Sequence, residues 1–274
     1  IISPNYGLGE TQLWNAYARL GYNINTNNRI EVMYNFFGSQ QRSDYVLKTG
    51  HYPDSAVIGI IGARPGDPEG TPYNHNVNVH YGSRQIVGNT DLDVNVYLQK
   101  FNTVFSWVDS FVDGGQSTIS SDKKGVRINL SSPFRAGENI EGDLVYGLDI
   151  LNDKTAQTLT DGRLWVPEMN MRNLAPYAQL KATFFEHLVF KAGARYENIN
   201  IDVPDYTTII SKNTKTGLYT EGGKSIKGGA IDYNALVFNA GLRYNALKYF
   251  KPFISYSQSF SVNELGRILR SASE

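Results

Sequence analysis

The sequence predicts an all-β protein, an antiparallel up-and-down barrel that crosses a membrane with its strands. Three observations favour this fold class. Apolar and polar side chains alternate along about ten segments, as they do in strands whose two faces meet different surroundings. The connections between these segments are alternately short and long, as in membrane barrels. No run approaches the roughly 20 apolar residues that a membrane helix requires.

The composition excludes several other classes. The chain has 274 residues with 26 basic and 26 acidic side chains, so its charge does not favour nucleic acid as a partner. The absence of Cys excludes disulfides, thiolate zinc sites and Cys nucleophiles. The N-terminus lacks the charged and apolar regions of a signal peptide, which we interpret as removal of that peptide or as a fragment.

The first half of the chain supplies five of the predicted strands. These are 11–24, 29–36, 74–81, 92–99 and 126–130. A long loop rich in Pro and Gly is expected at 38–73, and a loop rich in Gly, Ser and Asp at 109–124. The alternation slips between Lys100 and Trp107, which predicts a β-bulge there.

The second half supplies the remaining five. These are 143–150, 175–184, 188–196, 236–245 and 252–256. Long connections are expected at 152–172 and 202–231, and short turns lie between the other strands. Tilted strands of about 9 to 11 residues suffice to cross a bilayer. A Greek-key sandwich has no reason to alternate short and long connections so regularly.

The hairpin at 175–196 fixes the register of this prediction. Leu180 and Phe190 lie in apolar rows, whereas Lys181, Lys191 and Arg195 lie in the opposite rows. A slip of one residue would turn these three basic side chains towards lipid, at about 2 to 4 kcal/mol each near the bilayer centre. We therefore expect the apolar rows to face lipid and the basic rows to face the barrel lumen.

Motifs for enzymatic chemistry are absent from the sequence. His75 and His80 are an odd number of residues apart, so a strand would place them on opposite faces and they could not share a metal ion. Acid pairs such as Asp143 and Asp149, or Asp91 and Asp93, are better interpreted as lumen-facing acids paired with Lys or Arg. We expect no catalytic residues, no metal site and no cofactor, and we predict that the protein is not an enzyme.

Several short motifs resemble the barrel of TonB-dependent outer-membrane receptors, and most closely those for ferric siderophores. They are Tyr146-Gly147-Leu148-Asp149, Asn152-Asp153-Lys154-Thr155, Val166-Pro167-Glu168, Ala175-Pro176-Tyr177-Ala178-Gln179-Leu180, Gly193-Ala194-Arg195-Tyr196-Glu197, Ser255-Tyr256-Ser257-Gln258-Ser259-Phe260 and Leu265-Gly266-Arg267. Each motif is weak alone, and their order and spacing carry the resemblance. It covers chiefly 144–270.

The resemblance implies a bacterial outer-membrane protein with a barrel of about 22 strands and a plugged lumen. Residues 1–274 would be part of that barrel, with the plug domain and the closing strands outside this chain. The implied partners are the TonB complex, reached through the plug and its coupling box, membrane lipid and a ferric siderophore. Ferric iron would enter only as part of the transported chelate, without covalent chemistry.

Aromatic and basic residues near the ends of the long loops are the candidate ligand contacts, because such groups suit an anionic iron chelate. They are Tyr45, Tyr52, Arg64, Tyr73, Trp107, Trp165, Tyr206, Tyr219 and Arg267. Two other functions remain open at this point. One is a passive porin-like channel, and the other is a soluble, Tyr-rich β-sandwich that binds polysaccharide or protein.

Overall fold

The computed structural model consists almost entirely of antiparallel strands. It describes residues 11–42, 45–48, 58–61, 66–213, 215–262 and 264–272. In chain order the elements are β1 (Thr11–Asn23), β2 (Asn28–Gln41), β3 (Tyr45–Lys48), β4 (Ile58–Ile61), β5 (Gly70–Val87), β6 (Thr90–Val108), β7 (Gly115–Arg135), β8 (Ile140–Leu159), β9 (Leu164–Phe184), β10 (Leu188–Val203), β11 (Tyr206–Thr207), β12 (Ser225–Ile226), β13 (Gly229–Tyr244), β14 (Phe253–Ser257) and the helix α1 (Leu265–Arg270). Within these ranges, no helix is both long enough and apolar enough to span a membrane.

Ten of these strands form one sheet whose neighbours in space are neighbours along the chain. The order is β1-β2-β5-β6-β7-β8-β9-β10-β13-β14, and β3–β4 and β11–β12 form two small ribbons within the connections. The predicted number of strands and their up-and-down order are confirmed. In the part of the chain that is described, no second large sheet packs against the first, so the architecture is not that of a β-sandwich.

Side chains alternate between two faces of the sheet. We call the face that bears Leu180 and Ala192 the outer face, and the face that bears Lys181 and Lys191 the inner face. Leu180 lies opposite Ala192, and Lys181 lies opposite Lys191, which confirms the predicted register of the β9–β10 hairpin. The turn at Phe185–His187 is also as predicted.

The two ends of the strands differ in their connections. One end, which we call the turn end, has the connections 24–27, 88–89, 136–139, 185–187 and 245–252. The other, which we call the mouth end, has the connections 42–69, 109–114, 160–163 and 204–228. The predicted long connections at 38–73 and 202–231 are confirmed in shortened form. A register shift between Val104 and Trp107 confirms the predicted bulge.

The predictions of two long connections, at 109–124 and 152–172, are wrong. Residues 109–124 are mostly strand, because β7 begins at Gly115, and residues 152–172 contain only the tight turn 160–163. Their polar composition suggested loops, yet these side chains pair across strands. Lys123 Nζ lies 3.2 Å from Asp153 Oδ2, and Ser121 Oγ donates a hydrogen bond to Asp153 Oδ1. Towards the mouth β7 and β8 simply continue, with polar residues on both faces.

On β10 and its neighbours β9 and β13, the two faces exchange polarity at one level of the sheet. Along β10, the inner face changes from Lys191, Arg195 and Glu197 to Ile199, Ile201 and Val203, while the outer face changes from Phe190, Ala194 and Tyr196 to Asn198, Asn200 and Asp202. The neighbours change at the same register. Leu174 of β9 lies opposite Asn198, and on β13 Leu236 lies opposite Tyr196. Between this level and the turn end, the outer face is apolar.

The exchange of polarity creates a small core on the inner face near the mouth. Ile199, Ile201, Val203 and Tyr206 are buried there. Residues 260–272 pack over this core, and from that segment Phe260, Val262, Leu265, Leu269 and Ala272 contribute apolar contacts. The end of the described chain therefore folds back across the inner face instead of extending away from the sheet.

Candidate functional site

The predicted ligand contacts are distributed over three different surroundings. Tyr45 begins the ribbon strand β3, while Tyr52 and Arg64 lie outside the described residues. Tyr73 lies beside His75, with 5.6 Å between the ring centroids, and His75 also contacts Phe36. These rings occupy the outer face, because Phe36 and His75 are in register with the apolar row of β2 and β5. Tyr73 therefore does not face the inner wall.

Trp165 is the predicted residue with the best-defined neighbours on the mouth side. The Phe111 ring meets it edge-on, with 5.0 Å between centroids and an interplanar angle of 81°. The guanidinium carbon of Arg270 lies 4.5 Å from the centre of the Trp165 ring, which is a cation–π contact. Arg270 Nη2 also donates a hydrogen bond of 2.6 Å to Gln157 Oε1. We call Phe111, Gln157, Trp165 and Arg270 the mouth cluster.

Polar contacts fix the mouth cluster to the strand ends around it. Gln157 Nε2 donates a hydrogen bond to Ser117 Oγ at 3.1 Å, and both residues are buried. Next to them, Gln116 donates to the Asp67 carbonyl oxygen and accepts from the Asp67 amide, each at 2.7 Å. The connection before β5 is therefore tied to the start of β7.

Arg163 joins the two tight turns of the mouth. Its Nη1 and Nη2 donate to the carbonyl oxygens of Val112 and Gly114, each at 2.6 Å. Its guanidinium also pairs with Asp161, at 2.6 Å between Nη2 and Oδ2. Hydrogen bonds from Arg163 lower the pKa of the Asp161 carboxyl, and those bonds raise the pKa of Arg163 in turn. Both groups therefore stay charged at neutral pH and hold the turns together.

The remaining predicted ligand contacts are either packed against other groups of the chain or exposed. Tyr206 is 6% exposed and its hydroxyl donates to the Leu269 carbonyl oxygen at 2.7 Å, which anchors α1. Burial raises the pKa of the Tyr206 phenol. Trp107 donates from Nε1 to Asp109, and Tyr219 lies under Lys212 Nζ at 5.1 Å. Arg267 is exposed on α1, and among the described residues its guanidinium has no hydrogen-bond or ion-pair partner.

Below the mouth, the inner face carries a network of paired charges. Asp149 accepts hydrogen bonds from Arg127 Nε at 2.8 Å and from Arg195 Nη1 at 2.7 Å. Arg195 also pairs with Glu197 and lies 5.6 Å from the centre of the Tyr177 ring. We call these residues the wall network. The sequence interpretation of Asp149 as an acid paired with Arg is confirmed.

The two predicted His positions are confirmed to lie in separate surroundings. His75 Nδ1 lies 2.8 Å from the Tyr34 hydroxyl on the outer face, whereas His80 Nε2 lies 2.5 Å from Asp93 Oδ2. In the part of the chain that the structure describes, no group of three or more His, Asp or Glu side chains could hold a metal ion.

Sequence reasoning missed three members of the mouth cluster, namely Phe111, Gln157 and Arg270. Phe111 and Gln157 fall within segments that were predicted as loops, and Arg270 lies in the segment that folds back. No periodic pattern connects these positions. Chemically, the cluster presents the exposed cation of Arg270, stacked on the Trp165 ring, at the mouth end of a polar wall, whereas Phe111 and Gln157 are buried beneath it.

Comparisons with known proteins agree with this architecture. A protein-family model described as "TonB dependent receptor-like, beta-barrel" matches residues 11–271. The Rhizobactin receptor of Rhizobium meliloti (strain 1021) is 23% identical, over 89% of this chain and 36% of that protein.

Solved structures that share the fold include two receptors of iron chelates. The open form of the Ferric-Catecholate import receptor Fiu from E. coli K12 gives a TM-score of 0.66 at 12% identity, over 90% of this chain and 46% of that one. The ferripyoverdine receptor of Pseudomonas aeruginosa, bound to ferripyoverdine, gives 0.59 at 12% identity, over 90% and 35%. The chain spans about a third to a half of the length of these relatives. With one family model covering residues 11–271, this chain belongs to the TonB-dependent receptor-like β-barrel family.

Proposed function

We propose that this chain forms part of the barrel of a bacterial outer-membrane receptor that takes up a ferric siderophore or a similar iron chelate. Energy would come from the TonB complex, through a plug domain and coupling box that lie outside this chain. The closing strands of the barrel would also lie outside it. Iron would arrive only as part of the chelate, and no other cofactor would be needed.

The observation that carries this proposal is the difference between the two faces of the ten-stranded sheet. The outer face is apolar from the turn end to the level of Leu174 and Tyr196, as a surface in contact with lipid must be. The inner face carries the wall network along the same span, as a surface that lines a water-filled lumen would. A polar wall of this kind gives a hydrophilic solute a path across the membrane.

The mouth cluster supports an anionic, partly aromatic solute. The exposed guanidinium of Arg270 stacks on the Trp165 ring, and Arg267, which has no side-chain partner among the described residues, lies on the same helix. Aromatic faces bind flat rings, and guanidinium groups bind carboxylates in a bidentate manner. The names of the relatives, which include rhizobactin, ferric-catecholate and ferripyoverdine receptors, support iron chelates as the class of solute.

Uptake under iron limitation tests the proposal. The complete gene would be expressed in a strain that lacks it, and uptake of radioactive iron would be measured with a panel of catecholate, hydroxamate and carboxylate chelates. We expect iron to be taken up from chelates of one class, and only when TonB is present and the inner membrane is energised. Uptake that continues without TonB would indicate a passive channel and contradict the proposal.

Paired Arg variants test the mouth cluster in the same assay. Arg270→Gln removes the cation above Trp165, whereas Arg135→Gln removes an exposed Arg at the turn end. We expect Arg270→Gln to weaken chelate binding to whole cells about 10- to 150-fold, because a charge-assisted contact contributes about 1.5 to 3 kcal/mol. Arg135→Gln should leave binding unchanged. Equal effects of the two variants would contradict the assignment of the mouth cluster.

A further inference from the structure

A group of unpaired basic side chains lies on the inner face near the turn end. Lys181 and Lys191 lie directly opposite each other on β9 and β10. Arg243 of β13 and Lys251 of the following turn line the same open depression, which has a volume of about 700 Å³. We call these four side chains the cationic patch. It lies at the opposite end of the strands from the mouth cluster.

The cationic patch differs from the rest of the inner wall in having no acidic partners. Elsewhere on that wall Arg19 pairs with Glu31, Lys123 with Asp153, and Arg127 with Asp149. No Asp or Glu lines the depression, and among the described residues none of its four cations lies within 4 Å of a carboxylate.

Two acids of β8 lie beside one of the four cations. Asp143 lies opposite Lys181 in the register, but its Oδ1 accepts a hydrogen bond from Ser131 Oγ at 3.0 Å and does not form an ion pair with Lys181. Glu141 and Asp143 line a neighbouring depression together with Lys181, so the positive charge is least balanced at the three other cations of the patch.

Two Lys side chains placed directly opposite on adjacent strands repel each other, and such pairs destabilise a sheet. An anion between them would remove the repulsion. The register also leaves space for one, because the residue opposite Lys191 on β13 is Gly241. Around Gly241, an added Cβ would find its nearest atoms at 3.6 Å and 3.8 Å, which is ordinary van der Waals contact.

We propose that the cationic patch binds a solute carrying two or more carboxylate groups, and that it is a second station for the anionic chelate on its way down the inner wall. The binding of a polycarboxylate stands on the patch alone, whereas the identity of that solute as the chelate rests on the proposed function. A passing anion would leave the mouth cluster and meet the next unpaired cations at Lys181, Lys191 and Arg243.

Site-resolved lysine labelling tests the binding. The purified full-length receptor would be labelled with an amine-reactive ester and the extent at each Lys measured by mass spectrometry, with tricarballylate as the probe and sucrose as the neutral control. We expect tricarballylate to reduce labelling of Lys181 and Lys191 severalfold, and to leave the mouth-end Lys212 unchanged. Equal labelling with tricarballylate and with sucrose would overturn the proposal.

Gly241 offers a matched pair of variants. Gly241→Asp places a carboxylate beside Lys191, and Gly241→Asn places a neutral side chain of the same size there. We expect Gly241→Asp to abolish the protection by tricarballylate and Gly241→Asn to retain it. Loss of protection in both variants would mean that bulk, and not charge, is decisive, and would overturn an anion site.

Uptake separates this inference from the proposed function. If both hold, Gly241→Asp should lower the maximal rate of chelate uptake several-fold while leaving chelate binding at the cell surface unchanged. Unchanged chelate uptake in a variant whose Lys residues tricarballylate no longer protects from labelling would overturn the role of the cationic patch in transport. Tricarballylate protection in a receptor that takes up no iron chelate would instead contradict the proposed function and leave the anion site standing.

Discussion

The two halves of β10 and of its neighbours β9 and β13 follow opposite rules. Between the turn end and the level of Tyr196, the outer face is apolar and the inner face is charged. Between that level and the mouth, the outer face carries Asn200 and Asp202, and the inner face buries Ile199 and Ile201. The backbone register is continuous across this level, because β10 pairs with β13 along its whole length. The change therefore comes from the surroundings and not from the fold.

The difference indicates where each half finds its apolar environment. On the proposed function, lipid lies beside the apolar row near the turn end, and the inner row faces water. Near the mouth the outer row has passed beyond the hydrocarbon, so polar side chains there cost little. The inner row instead packs under residues 260–272. A strand can therefore extend well beyond the membrane if its own chain supplies a cover.

The two largest expected effects are similar in size, and the first of them comes from the inner core near the mouth. Ile201 is 3% exposed, and we expect Ile201→Ala to destabilise the packed segment 260–272 by about 2 to 4 kcal/mol. Hydrogen exchange of residues 265–271 would measure this as faster opening. Lys191→Ala, on the same face of the same strand but in the lower half, should leave that exchange unchanged. Equal rates for the two variants would mean that the segment does not depend on the core.

The second comparison concerns the outer face. Leu180→Lys places a charge in the lipid-facing row, and we expect it to destabilise the folded receptor in vesicles by about 2 to 4 kcal/mol. Asn200→Lys changes the same face above the level of exchange, where Asp232 is adjacent, and should alter stability by less than about 0.5 kcal/mol. Denaturant titration of the vesicle-inserted protein gives both values. A similar cost at both positions would place the membrane boundary elsewhere.

The lower half could be predicted from the sequence, because one physical rule governs every strand there. Leu180 and Lys181 alternate as lipid and water require, and the structure has them where the alternation placed them. The upper half could not be predicted in this way. Ile199, Ile201 and Val203 continue the alternation in the opposite phase, whereas the predicted strand ends at Tyr196 and the predicted long connection begins at 202. The reversed phase was the signal that could have identified the longer strand.

The mouth cluster was less predictable still. Trp165 was selected because aromatic residues near loops often bind ligands, whereas Arg270 reaches it only because the chain folds back over the inner core. Contacts between residues so distant in the chain leave no periodic trace in a single sequence.

A smaller effect is expected at the clamp between the mouth turns. Arg163→Ala leaves the carbonyl oxygens of Val112 and Gly114 without their donor, and we expect a loss of about 1 to 3 kcal/mol in the local stability of the turn 109–114. Asp161→Asn keeps those hydrogen bonds and removes an exposed ion pair, so it should cost less than about 1 kcal/mol. Limited proteolysis in the turn would rank the two variants, and the reverse order would contradict the clamp.

The smallest effect concerns the hydrogen bond that anchors α1, and it has no counterpart in the lower half. Tyr206 donates to the Leu269 carbonyl oxygen only while its phenol is protonated, and burial raises the pKa of this phenol. A raised pKa means that the contribution to stability is complete below the unfolded value near 10 and is lost as pH rises through the folded pKa. Tyr206→Phe should cost about 0.5 to 1.5 kcal/mol at neutral pH. Hydrogen exchange of α1, corrected for the intrinsic rate at each pH, should therefore differ between the two proteins at pH 8 and converge above pH 10. A constant difference across that range would show that the phenolic proton does not hold the helix.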